Sequence, residues 1–308
     1  MKTLTTIAAM AVCLSLYADT FEISYDVRND NEVVFNYAKS YPGAVTLRIE
    51  FSTLSNCLSQ REFIKVIDGP SGVLFTLRPT DPEKRIQFRY RYRYFYGALL
   101  KDYQPYEKYL LPFPEGSKVT AEQLYNIEER YFGAKQPDNW YALRLSSDKP
   151  DTVHAVRTGK VTKVTKHHPL NKAYHYTSNR NEVIIEHQDG TRARYVGFAP
   201  DEIFMAAGNL VYAGEPIGVM REGGQHAALD LFIYYTKSID FDFQGPQTFD
   251  QKAVQHEYVE PTFIHMEGAS SLTPHTSFRV THPVEAITAE MTRREQKRYR
   301  KGKLGYGG

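Results

Sequence analysis

Hydrophobic and polar positions alternate in short runs along most of this chain. Val45, Leu47, Ile49 and Phe51 are interleaved with Thr46, Arg48 and Glu50, the two-residue period of a strand with one buried face. Phe63 to Ile67 and Val73 to Leu77 flank Asp68-Gly69-Pro70-Ser71-Gly72, which predicts a hairpin with glycine-supplied turn geometry. In RIQFRYRYRYFY (85–96), Phe88, Tyr90, Tyr92, Tyr94 and Tyr96 share one face and Arg89, Arg91 and Arg93 the other. Several short strands separated by turns predict an immunoglobulin-like β-sandwich over 19–115. Pro112 to Gly116 (PFPEG) marks the boundary to a second domain, 116–236. There Thr120-x-x-Gln123 caps a short helix through Arg130 or begins a strand. Strands are predicted at Val161–Val164, Glu182–Glu186, Arg192–Val196, Val211–Tyr212, Ile217–Met220 and Leu229–Tyr235, with turns at Thr158-Gly159, Asp189-Gly190 and Gly223-Gly224. A β or irregular extension follows over 237–282. Pro283 then opens a terminal helix with Val284, Ile287 and Met291 on one face, leading into a basic tail to 308.

Composition supports a mostly β, packed protein. Hydrophobic residues make up 42% and charged residues 24% of the 308 positions, ordinary for a chain with a core. The 23 tyrosines suit half-buried strand faces. The Arg/Tyr run could stack on sugars and pair with anions, but its plain reading is Tyr to the core and Arg to water. Residues 1–18 resemble a secretory signal: Lys2, an apolar run from Ile7 to Leu16, then Ala18 before cleavage. Export to the periplasm or cell envelope is therefore expected, with nucleic acid excluded as a partner. Cleavage would remove Cys13 and leave Cys57 alone, so no intrachain disulfide is expected. The net charge of +2 hides an asymmetry: residues 289–308 carry +5 and residues 19–288 carry −4. A basic arm on an anionic surface is one reading of that tail, and a solvated helix is the other.

Three ordered segments carry a stronger signal. The first is Tyr141-Ala142-Leu143-Arg144-Leu145 with Thr152 to Val161. The second is Asn181 to Thr191, running on to Arg194-Tyr195-Val196-Gly197-Phe198. The third is Val211-Tyr212-Ala213-Gly214-Glu215-Pro216-Ile217-Gly218 with His226-Ala227-Ala228-Leu229-Asp230-Leu231. Together they resemble the lysostaphin/LytM-type zinc endopeptidases, which cleave peptide cross-links in bacterial peptidoglycan from a small antiparallel β-sheet fold. The resemblance covers roughly residues 130–236. It implies one Zn²⁺ held by two His and one Asp, with an open position for water, and a further His assisting proton transfer.

The positions that should carry this chemistry do not. Arg144 occupies the place of the Asp ligand, and a fixed cation repels zinc. No histidine precedes His154, so the first His ligand has no candidate. Gly197 stands where the assisting His is expected, two residues after Tyr195, and the final His-x-His reads Ala228-Leu229-Asp230. His226, His154 and His187 remain as a possible residual polar site; His167, His168 and His175 fall in a Lys-rich stretch and read as loop residues. No phosphate-binding glycine loop, Ser nucleophile elbow or paired Cys cluster is present. The resemblance thus implies a catalytically inactive relative without zinc, its old groove near Arg144, Tyr195, Gly197, Ala228 and Asp230, binding peptidoglycan or regulating a cell-wall hydrolase. Two alternatives stand beside it: an active zinc endopeptidase with relocated ligands (His154, His187, His226, Asp230), and a structural envelope protein making contacts through its sandwich and tail.

Overall fold

The structure is a computed structural model and describes residues 19–101, 103, 108–124, 139–166, 180–222, 227–244 and 253–304. The signal-like residues 1–18, the Gly223-Gly224 turn and His226 lie outside them. Six strands form the N-terminal part: β1 (Phe21–Val27), β2 (Val33–Lys39), β3 (Val45–Ser55), β4 (Glu62–Ile67), β5 (Ser71–Leu77) and β6 (Gln87–Tyr96). They make two antiparallel sheets, ordered β1-β2-β5 and β4-β3-β6, one strand fewer than the seven of an immunoglobulin constant-type domain. Val45, Leu47, Ile49 and Phe51 are all buried between the sheets, as their alternation requires. The aromatic face of β6 joins the same core. Tyr90 meets Phe35 at 5.2 Å and Tyr94 meets Phe21 at 4.8 Å between ring centres, while Arg91 turns outward to Glu50 at 2.5 Å.

One expected hairpin is not formed. β4 pairs with β3 and β5 with β2, so the 68–70 link crosses from one sheet to the other. Burial favours the change: with the two strands in different sheets, Ile67 of β4 and Leu74 and Leu77 of β5 all enter one core, which a lone two-stranded hairpin cannot enclose. Phe63 and Phe75 stack at 4.5 Å between ring centres, and the Lys65 ammonium donates to the Leu74 carbonyl.

The remaining strands are β7 (Lys108–Leu110), β8 (Lys118–Gln123), β9 (Leu143–Ser147), β10 (Thr152–His154), β11 (Gly159–Thr165), β12 (Glu182–His187), β13 (Arg192–Val196), β14 (Phe198–Ile203), β15 (Leu210–Val211), β16 (Pro216–Met220), β17 (Ala227–Ile239), β18 (Val254–Tyr258), β19 (Thr262–His265), β20 (Gly268–Ser270) and β21 (Thr276–Arg279). Residues 118–123 are thus strand, not helix. A nine-stranded antiparallel sheet runs β15-β11-β12-β13-β17-β9-β8-β21, with β18 also on the long strand β17. Two small sheets, β10-β16-β14 and β20-β19-β7, cover its apolar face. Within the first of these, β16 and β14 approach closely at Gly218, where a Cβ would lie 2.7 Å from the Glu202 carbonyl oxygen.

The C-terminal segment is two short helices, Val284–Thr288 and Arg293–Tyr299, rather than one. Thr292 restarts the helix through a capping box, accepting from Glu295 N–H while the Glu295 carboxylate accepts from Thr292 N–H at 2.7 Å. Ile287 and Met291 are buried against Leu110 and Ala213. Between the two helices, Glu290 reaches the buried Arg157 at 2.5 Å, and Arg157 also meets Asp189 at 2.9 Å. Tyr103 O–H donates to the same Asp189 carboxylate at 2.6 Å. The Arg157 side chain is only 4% exposed, so removing it leaves two half-buried carboxylates without their cation. Arg157→Met is expected to cost about 3–5 kcal/mol, read from the urea midpoint at constant m-value. A loss below about 1 kcal/mol would mean that the carboxylates find other partners.

Candidate functional site

Strand alternation builds one polar face on the large sheet. Leu143 and Leu145 of β9, Leu229 and Leu231 of β17, and Ala193 and Tyr195 of β13 all enter the core. Their neighbours Arg144, Asp230 and Arg194 must therefore point to the other side. The strand register sets Arg144 directly opposite Asp230, and Phe232 opposite Arg194. Arg144 grips Asp230 with both ends of its guanidinium, Nε to Oδ1 at 2.7 Å and Nη2 to Oδ2 at 3.0 Å. Arg180 donates to the same Oδ2. Asp230 is buried, and the Arg144 side chain is about one-third exposed. This planar two-point contact is the strong form of a charge-assisted hydrogen bond.

The surroundings extend the pattern. Arg194 Nε donates to Glu182 at 2.7 Å, and its guanidinium lies 5.4 Å above the Phe232 ring. Burial alone would raise the Glu182 carboxyl, but Arg194 and Lys163 hold it below its ordinary value. Trp140 packs against Phe232 at 6.0 Å and Tyr258 at 4.6 Å. At the far end of the face, Glu186 pairs with Arg192 at 2.9 Å and accepts from Ala44 N–H at 2.6 Å. The sandwich seals that end and leaves the Arg144–Asp230 end partly open.

Of the groove positions drawn from the sequence, Arg144, Ala228 and Asp230 share this face. Tyr195 does not. It is fully buried on the core side, and its hydroxyl accepts from Val156 N–H at 2.9 Å. Gly197 has φ +119°, and a Cβ there would meet the Ala228 carbonyl oxygen at 2.8 Å. The backbone at that position has no room for an assisting histidine without moving β17. His154 Nδ1–H donates to the Gly214 carbonyl at 2.6 Å, with the His282 ring 5.6 Å away. His187 is enclosed in the core, its Nδ1–H on the Thr158 carbonyl at 3.0 Å. The described residues of this face do not fit a zinc ion. Two guanidinium groups already hold Asp230, Ala228 offers no donor atom, and among the described residues no three His, Cys, Asp or Glu side chains cluster as a metal would need.

Sequence reasoning missed Arg180, Arg194, Phe232 and Trp140. For Phe232 the signal existed: it lies two residues from Asp230 and so on the same strand face, and Arg194 stands opposite it in the register. Arg180 precedes its strand and had no periodic signal.

His187 yields a pH prediction. Burial, and then the Arg157 charge, lower its pKa from 6.5 to about 3. The folded protein therefore keeps this ring neutral where the unfolded chain protonates it. Its contribution to stability is complete above pH 6.5 and falls as pH drops towards 3, by about 1.4 kcal/mol per pH unit. NMR should show no His187 ring titration above about pH 4, and His187→Gln should flatten the stability slope between these limits. A ring titrating near 6.5 would overturn the assignment.

No family model matches the chain, and no curated protein matches it. Among solved structures the chain is similar to Helicobacter pylori Csd3 as seen in an orthorhombic crystal, with 11% identity and a TM-score of 0.25 over 92% of this chain and 83% of that one. A likeness of that size carries no argument about activity.

Proposed function

We propose that this is an exported, non-hydrolytic relative of the lysostaphin-type peptidases that binds peptidoglycan or regulates a cell-wall hydrolase. The observation that carries the reading is the Arg144–Asp230 pair. Both residues occupy positions that the sequence resemblance equates with ligands of one metal ion. They stand opposite each other in the sheet, as two such ligands must, but as a cation and an anion that satisfy one another. The framework that would bring ligands together is present and the ligands are not.

The partly open face suits an acidic, partly apolar ligand. Arg144, Arg180 and Arg194 supply cationic edges, and Trp140, Phe232 and Tyr258 supply an aromatic shelf beside them. A peptide carboxylate beside a sugar ring has this combination of charge and flat apolar surface.

Purified protein should co-sediment with isolated peptidoglycan sacculi without releasing soluble fragments. Arg144→Gln, which keeps a polar side chain opposite Asp230, should weaken co-sedimentation by about tenfold, the loss of one charge-assisted contact. Elemental analysis should find no stoichiometric zinc. Zinc that disappears on Asp230→Ala, or chelator-sensitive fragment release, would establish the active metallopeptidase instead. Absence of sacculus binding by the native protein would remove the peptidoglycan reading.

A further inference from the structure

The C-terminal segment sorts its charges by face. At 100° per residue, Arg293, Arg294, Lys297 and Arg298 fall within an arc of about 140° on the second helix. All four are exposed, and Arg300, Lys301 and Lys303 continue the exposed cationic surface through the following turn. Glu295, Gln296 and Tyr299 occupy the opposite arc and face the body. Of the segment's three acidic residues, Glu285 is exposed on the first helix, and the other two are engaged inward. Glu290 pairs with the buried Arg157, and Glu295 caps its own helix and accepts from the Tyr212 hydroxyl at 2.8 Å. Gln296 fixes the join between the helices through the Thr288 and Met291 carbonyls, at 3.2 and 3.1 Å. Among the described residues, none of the seven exposed cations forms an ion pair. Residues 293–303 are therefore a docked element with seven exposed cations, and Glu295, half-buried and engaged by the cap and Tyr212, is the one acidic residue among them.

We propose that residues 293–303 form an electrostatic pad for a bilayer surface bearing anionic phospholipid headgroups. The shape favours a surface over a strand-like polymer. The cations lie on the outer arc of a helix that stands on the body, so they form a convex ridge, and a linear polyanion is held best in a groove. Ile287 and Met291 are buried against Leu110 and Ala213, and Tyr299 and Leu304 pack on the same cluster. The exposed Val284 lies on the first helix, outside the pad, so among the described residues 293–304 no apolar side chain projects with the cations. Attraction here is Coulombic, about 1 kcal/mol for each Lys or Arg brought to an anionic leaflet, and is screened by salt. The pad is separate from the Arg144–Asp230 face, so its failure leaves the peptidoglycan reading untouched.

The test is sedimentation of the full chain with vesicles of phosphatidylcholine containing phosphatidylglycerol, against vesicles of phosphatidylcholine alone. Binding is expected to the anionic vesicles only, and to disappear near ~0.5 M salt. The combined variant R293Q, R294Q, K297Q and R298Q removes four charges from exposed helix positions. It should lower vesicle partitioning at least about thirtyfold, with unchanged thermal unfolding and unchanged sacculus binding. Equal binding to neutral vesicles, no binding to anionic ones at low salt, or no loss in the variant would overturn the proposal. Tighter binding to soluble polyphosphate than to vesicles at equal phosphate would overturn the bilayer as the partner.

Discussion

A guanidinium group in the interior constrains most of the C-terminal architecture. Arg157 is 3% exposed, and an ion removed from water at that depth must be met by opposite charge and hydrogen bonds on every side. The chain meets this demand from distant points. Asp189 comes from the β12–β13 turn, Glu290 from the C-terminal segment, and Tyr109 sets its ring 5.3 Å from the guanidinium carbon. Asp189 shows the balance of effects: burial alone would raise its carboxyl, but Arg157 and the bonds from Thr191 and Tyr103 hold it well below its ordinary value. Because these groups must converge, the hairpin, the first turn of β11 and the terminal segment have one mutual arrangement. The same cation beside His187 helps keep that ring neutral.

The Arg144–Asp230 pair obeys the same rule under milder conditions. Here the sheet register places the two residues opposite each other, and the Arg side chain remains partly in water. Breaking such a pair costs more than forming it gains, because the buried carboxylate is left without its neutralising partner. A chain that replaced a metal ligand by arginine would thus be stable only if the facing position were acidic. Asp230 supplies that acid. The pair explains how the sheet carries a half-buried cation at position 144, and at Gly197 the backbone beside it leaves no space for a side chain.

Where burial on one face dictates the pattern, the sequence was legible. The alternation at 45–51 and the strands at 161–164, 182–186, 192–196 and 229–235 all appear, because a one-residue slip would expose the core. One miss depended on partners far along the chain, and two were local. The 68–72 turn looks like a hairpin locally, yet β4 finds its partner in β3 and β5 in β2, which puts the strands in different layers. The terminal helix looks continuous until Thr292 and Glu295 are seen to form a cap. Tyr195 was placed at the site by the resemblance, but it is adjacent to Arg194, and in a strand adjacent side chains point to opposite faces. The aromatic stripe of β6 was the reverse case: its plain structural reading needed only the two-residue period, and the Tyr90 and Tyr94 contacts follow from it.

The charge asymmetry acquires a physical meaning only with the fold. A basic tail on an acidic body would ordinarily lie down on it and neutralise itself. Here Glu290 and Glu295 are held inward by Arg157, Tyr212 and the helix cap. The capping box restarts the helix at Arg293 in a phase that turns Glu295 and Tyr299 inward and the cations outward. A single continuous helix from Pro283 would have a different phase at these residues, because the break at Ala289 to Thr292 rotates the second segment relative to the first. The burial of Arg157 therefore reaches beyond stability. It fixes the segment whose cap decides which way the positive charges face.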